Sequence, residues 1–147
     1  MRDSVDTLEI TAIPLAAVEY VWSDVEPMLE KATNTSGGRY NTIAVLDALL
    51  KGDIALWVVL DEATPVAAMT TRVTQYPNGR RSLAIDWIGG GRMREWLPLV
   101  QETFVRYGRD NGCTEIQGFG RKGWERVLRT YGWKPEYIAY KMDLSDG

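Results

Sequence analysis

Apolar residues recur along the 147-residue chain with two periods, and the switches between them predict its elements. Leu8-Glu9-Ile10-Thr11-Ala12-Ile13 alternates up to Pro14, the pattern of a strand. Val18, Trp22, Val25 and Leu29 then recur at spacings of four, three and four, which predicts a helix over about 15–32 with Pro27 late in it. After a loop over 33–40, Asn41 or Thr42 can cap a short helix carrying Ile43, Leu46, Leu49 and Leu50 and ended by Gly52. Residues 55–60 form a nearly continuous apolar run, as a strand buried on both faces requires.

The turn over 61–65 leads into a strand over 66–73, and Pro77-Asn78-Gly79-Arg80 is a hairpin signal before a strand over 82–88. Gly89-Gly90-Gly91 interrupts the pattern. Met93, Leu97, Val100, Phe104 and Tyr107 then give the clearest helical stripe in the chain. Pro98 is tolerable there if the helix begins near Arg92 to Arg94. Asn111-Gly112 stops this helix, residues 113–118 read as a short strand, and a last helix carries Trp124, Val127, Leu128 and Tyr131, capped at Gly132. Residues 137–144 alternate as a closing strand. The order β-α-α-β-β-β-α-β-α-β, without repeat or linker, predicts one α/β (α+β) domain over 1–147.

Composition narrows the chemistry. The chain has no histidine, which excludes a Ser-His-Asp triad, a Cys-His pair, an HExxH zinc site and an imidazole base. The single cysteine, Cys113, excludes an internal disulfide and a cysteine zinc cluster, so no metal site is expected. A net charge of −3 argues against a general nucleic-acid binder. No apolar run reaches bilayer length, and the acidic start lacks a signal-peptide core, so a soluble cytoplasmic protein is expected. The six tryptophans read as filling the core and a groove; only Trp124, near Arg121, Lys122 and Arg126, has the basic surroundings of a nucleic-acid stacking residue.

The order of elements resembles that of the GNAT acyltransferases over nearly the whole chain, with the acyl-CoA-binding core from about Ser82 to Leu144. The resemblance implies a central mixed, mostly antiparallel sheet flanked by about four helices. In that family a Gly-rich turn after the fourth strand holds the CoA pyrophosphate with the next helix's first amides. Here Trp87-Ile88-Gly89-Gly90-Gly91-Arg92-Met93 occupies that place, with Arg94 and Lys122 as further cofactor-binding candidates. Physical reasoning supports this assignment, because glycines let backbone approach a ligand and helix N-termini favour anions. The usual Gln/Arg-x-x-Gly-x-Gly/Ala spacing is absent, since Asp86 stands three residues before Gly89 and the glycines are consecutive. A triple glycine also suits a bare sharp turn. Near the C-terminus, Tyr131-Gly132-Trp133 resembles the family's Gly-aromatic ending, but the family's tyrosine falls on Leu128 and an upstream asparagine falls near Arg121.

What the resemblance implies is an acyl-CoA-dependent N-acyltransferase. An acetyl or other acyl group would pass to a small-molecule or protein amine by direct attack in a ternary complex. Backbone over 86–88 would polarise the carbonyl. Asp86, or second Glu115, would take the amine's proton, and Tyr131, Tyr137 or Tyr140 could act as acid. Asp86 can also lie on a solvated face or pair with Arg72 across the hairpin, Glu115 can be a surface residue, and packing explains each tyrosine as well. Arg121, Lys122 and Arg126 could meet the adenosine phosphate, and Arg39 and Tyr40 lie where relatives contact acceptor. No partner activates Cys113. The alternative is a catalytically inactive scaffold: Gly120-Arg121-Lys122-Gly123-Trp124 looks like small phage and prophage proteins of this fold, in which the tryptophans would form an interaction surface. A homodimer is compatible with either reading.

Overall fold

The computed structural model describes residues 7–120 and 123–145. Its elements are β1 (Leu8–Ile13), α1 (Val18–Thr33), α2 (Thr42–Leu50), β2 (Ala55–Asp61), β3 (Thr64–Gln75), β4 (Arg81–Gly90), α3 (Met93–Asp110), β5 (Glu115–Gly118) and α4 (Trp124–Arg129). The strands form one sheet in chain order. The first four run antiparallel, and α3 carries the chain over so that β5 lies parallel to β4. This is the mixed, mostly antiparallel sheet with four helices that the periodicities and the resemblance imply.

Helices cover both faces of the sheet, so the central strands are apolar on both sides. On one face Trp57, Val59, Met69 and Leu83 pack against Trp96, Leu97, Val100 and Phe104 of α3. The buried indole N–H of Trp57 donates to Thr71 Oγ1 at 2.9 Å, which satisfies the one polar atom that ring brings into the core. On the other face Leu56, Val58 and Ala68 meet Val18, Val25 and Leu29 of α1 and Val45 and Leu49 of α2. Asn41 caps α2, its side chain accepting from the amide of Ala44. Pro98 falls in the second turn of α3, where it withholds one amide from the carbonyl of Arg94.

Three expectations change. In α2 the buried side chains are Val45 and Leu49, whereas Ile43 is 76% exposed. That helix is apolar around most of its circumference, so spacing alone does not select the inward face. Next, β4 runs through Gly89 and Gly90 rather than stopping at Ile88. Finally, residues 137–144 form no strand. β5 is only four residues long. The ring of Trp133 already lies beside Gly118 at its end, and Glu136 and Tyr137 share a cavity with Glu115 at its start. Beyond Tyr137 the side chains of Ile138, Tyr140, Met142 and Leu144 are exposed.

Candidate active site

Two register features open the sheet at one place. Thr70 pairs with Trp87 and Thr71 with Ile85, so Asp86 is an extra residue in β4, a bulge. β5 pairs with β4 from Ser82 to Ile85 only. From Asp86 to Gly90, therefore, the outer edge of β4 faces no strand among the described residues. A bulged strand with an unpaired edge offers backbone donors and acceptors to a ligand.

The three glycines differ in what holds them. A Cβ on Gly89 would stand 2.0 Å from the carbonyl oxygen of Met28 in α1. Gly90 has φ +132°, and a Cβ there would stand 2.4 Å from Val66 O and 2.5 Å from Ala67 Cα. Both are glycine because neighbouring backbone leaves no room for a side chain. Gly91 has no atom within 4 Å of a Cβ position, and its amide donates to Val66 O at 3.0 Å. Packing thus explains the first two, whereas no described atom crowds the Cβ position of the third.

Beyond Gly91 the chain turns sharply into α3. Arg92 is the N-cap with φ 62° and ψ 33°, a left-handed conformation that is strained for a residue with a side chain. The Trp96 indole N–H reaches back to Gly91 O at 2.6 Å and pins the turn. Among the described residues no acceptor serves the amides of Met93 and Arg94 at the start of α3. Arg94 is exposed. Arg92 is caged: Nη1 lies 2.6 Å from Asp61 Oδ2, and Nε and Nη2 donate to Glu95 at 2.9 and 3.1 Å. The hydrogen bonds it donates to Glu95 and then to Asp61 raise its pKa still further, so it is permanently charged and locally neutralised. Beside this turn a cavity of about 400 Å³ is lined by Met93, Gly123, Trp124 and Val127. Arg121 and Lys122 lie outside the described residues.

The opposite face of β4 carries the polar groups. Asp86 forms a bidentate pair with Arg72, at 2.6 Å to Nε and 3.2 Å to Nη2, and Arg72 also donates to Thr74 Oγ1 at 2.8 Å. Asp86 raises the pKa of Arg72 through these bonds. Trp87 points to the α1 and α2 side, where its ring meets Tyr40 edge-on at 5.2 Å. Tyr40, in the loop before α2, and Trp87 therefore stand together beside the bulge. Ile88, on the α3 side, packs on the core with Met93.

The remaining candidates are spread out. Glu115 pairs in register with Ser82, at the end of β5 away from the bulge. It lines a separate cavity of about 370 Å³ with Tyr76, Arg80, Gln117, Glu136 and Tyr137. Tyr131 is half-buried against the α3-side core, and its carbonyl accepts from Gln101 Nε2 at 2.9 Å. Leu128 is half-buried, whereas Arg126, Arg39 and Tyr140 are exposed. Burial pushes the Cys113 thiol above its usual value, against the opposing pull of Arg81. Sequence reasoning missed the cage. Glu95, three residues after Arg92 on one helix, could have been read from spacing, but Asp61 lies 31 residues away and gave no local signal.

No protein-family model matches the sequence, and no curated protein matches it. Solved structures do. An aminoglycoside acetyltransferase from an uncultured soil metagenomic sample superposes with TM-score 0.70 at 14% identity, over 94% of this chain and 99% of that one. A ribosomal-protein-alanine N-acetyltransferase from Brucella melitensis biovar Abortus 2308 gives 0.66 at 11%, over 94% and 99%. A predicted acetyltransferase from Clostridium acetobutylicum, solved with acetyl-CoA, gives 0.66 at 12%, over 93% and 96%. At these identities the likeness establishes the fold.

Proposed function

From the GNAT acetyltransferase fold that this chain carries, we propose that it is an acyl-CoA-dependent N-acyltransferase, moving an acetyl or other acyl group to an amine by direct attack in a ternary complex. One observation carries the reading. Among the described residues, the edge of β4 is unpaired from the Asp86 bulge to Gly90 and runs straight into the open first turn of α3. That arrangement joins a backbone hydrogen-bonding edge to an anion-binding helix start.

The residues fit acyl-CoA. Gly91 and the amides of Met93 and Arg94 would meet the pyrophosphate, with Arg94 adding charge, and the cavity between Met93 and Trp124 would take the apolar arm. When bound, the thioester supplies an activated carbonyl. The chain's own part is to hold, orient and deprotonate. An amide on the outer edge of β4 would polarise the carbonyl oxygen. On the other side of the bulge, Tyr40 and Trp87 would position the acceptor amine. Asp86, steadied by Arg72, would hold the proton that the amine releases. Glu115 stands too far along β5 for the same task and instead would touch a long acceptor. Tyr131 would line the thiol side of the cleft, where Leu128 brings no hydroxyl. Departure of the thiol without a side-chain acid fits a good leaving group.

The test is release of free CoA thiol from acetyl-CoA and longer acyl-CoAs in the presence of a panel of amines, including aminoglycosides and basic peptides. Turnover with any acceptor supports the proposal. Tight acyl-CoA binding without turnover for any amine would favour the inactive scaffold.

A further inference from the structure

Gln101 ties the chain after α4 to α3. The chain leaves α4 through Gly132, whose φ of 88° lets its amide donate to Arg129 O at 3.3 Å and the amide of Trp133 to Leu128 O at 3.2 Å. Gln101 then uses both ends of its side-chain amide. Its Nε2 donates to Tyr131 O, and its Oε1 accepts from the indole N–H of Trp133, each at 2.9 Å. The other edge of that indole lies on β5, since a Cβ on Gly118 would stand 3.7 Å from Cζ3 of the ring. Nε1 and Cζ3 are on opposite sides of an indole, so the half-buried Trp133 bridges the gap between β5 and α3.

The bridge stands where the cleft ends. β4 and β5 part after the pair Ile85–Gly118, and beyond it the outer edge of β4 meets no strand among the described residues. Met93 and Val127 line the cavity of about 400 Å³ at the other end of the cleft. Gln101 lies about two turns further along α3 than Met93, a rise of about 12 Å. Ile85, Ile116 and Tyr131 pack on the α3-side core, so the surroundings of the bridge are apolar. With pyrophosphate at the start of α3 and the carbonyl on the β4 edge, an acyl tail would run toward Ile85 and Gly118. We propose that Trp133, fixed by Gln101, closes that end of the cleft and restricts the acyl group to short chains. The proposal rests on the acyl-CoA reading above and adds to it the size of the group carried. Gln101 is a positioning residue that acts through Trp133, because an indole without that bond is free to rotate off Gly118. A phenyl ring has no N–H for the bond, so the tryptophan itself is required.

Calorimetric titration of acetyl-CoA and hexanoyl-CoA into the full chain tests this. Each methylene buried in apolar surroundings strengthens binding about fourfold, so an open-ended cleft would strongly favour hexanoyl-CoA. The wild type is expected to bind hexanoyl-CoA no more tightly than acetyl-CoA. Trp133→Ala should bind hexanoyl-CoA at least about tenfold more tightly than the wild type does, with acetyl-CoA changed less than about twofold. Gln101→Leu, which keeps the indole, should gain about threefold for hexanoyl-CoA. It carries the test if the unfolding midpoint shows Trp133→Ala to be unfolded. A wild type that prefers hexanoyl-CoA, or folded variants that leave the ratio of the two affinities unchanged, overturns the inference and leaves the acyl-CoA site standing. No binding of either ligand by the wild type overturns the acyl-CoA reading and this inference with it.

Discussion

Arg92 Nη1 lies 2.6 Å from Asp61 Oδ2, joining the first turn of α3 to the end of β2. Glu95 closes the other side of the same guanidinium at 2.9 Å. A cation expected to meet an anionic ligand is therefore already neutralised, and the proposed pyrophosphate site relies on backbone amides and Arg94.

The cage predicts that removing one carboxylate will strengthen anion binding. Glu95→Gln should tighten acetyl-CoA binding about fivefold at low salt, the size of one charge acting over a few ångströms through water. The gain should fade as salt screens it. Calorimetric titration at two ionic strengths checks this, and an unchanged or weaker affinity would show that Arg92 faces no ligand.

The glycines separate stability from binding. Gly89→Ala and Gly90→Ala should each lower stability by at least about 3 kcal/mol, because the new methyl meets backbone that cannot rotate away. Chemical denaturation measures it. A Gly90→Ala protein as stable as wild type would contradict the packing account.

Much of this was legible from spacing, and the failures have physical causes. Alternation and the four-three stripe located β1, α1 and α3 because each buries one face. The glycine run could be placed after β4, but the division of labour within it could not. Met28 and Val66, which exclude side chains at Gly89 and Gly90, approach from distant parts of the chain. The bulge at Asp86 was also invisible, since it is a relation between two strands. The alternation over 137–144 predicts a closing strand, but the structure forms none there, because alternation alone does not supply a ladder partner. The Asp86–Arg72 pair was readable as one of two alternatives, and the geometry shows the pair formed.

That pair gives a kinetic prediction. Asp86→Asn should lower kcat about a hundredfold or more, with little change in the KM for acyl-CoA, if the carboxylate takes the amine's proton. Arg72→Met, which removes the partner and keeps the carboxylate, should cost far less. Equal losses from both would reduce Asp86 to an ion-pair partner that holds the hairpin.

Cys113 supplies a pH test of packing. Its thiol is raised by burial in the fold, so the neutral form is the one the native state prefers. The stability it contributes is present below the unfolded thiol value of about 8.5 and is lost as pH rises through the higher folded value. Alkylation of the native protein near pH 8.5 should therefore lag well behind that of the unfolded chain, as mass spectrometry would show.

Titration of acetyl-CoA into the wild type and into Gly91→Asp tests the central claim most directly. Gly91 is open on the side where the cofactor would lie, so an aspartate there should leave the unfolding midpoint unchanged. The wild type should bind with roughly micromolar affinity, and the variant should lose most of that binding through charge repulsion. No heat from the wild type at millimolar acetyl-CoA, or equal binding by the two proteins, would contradict the site.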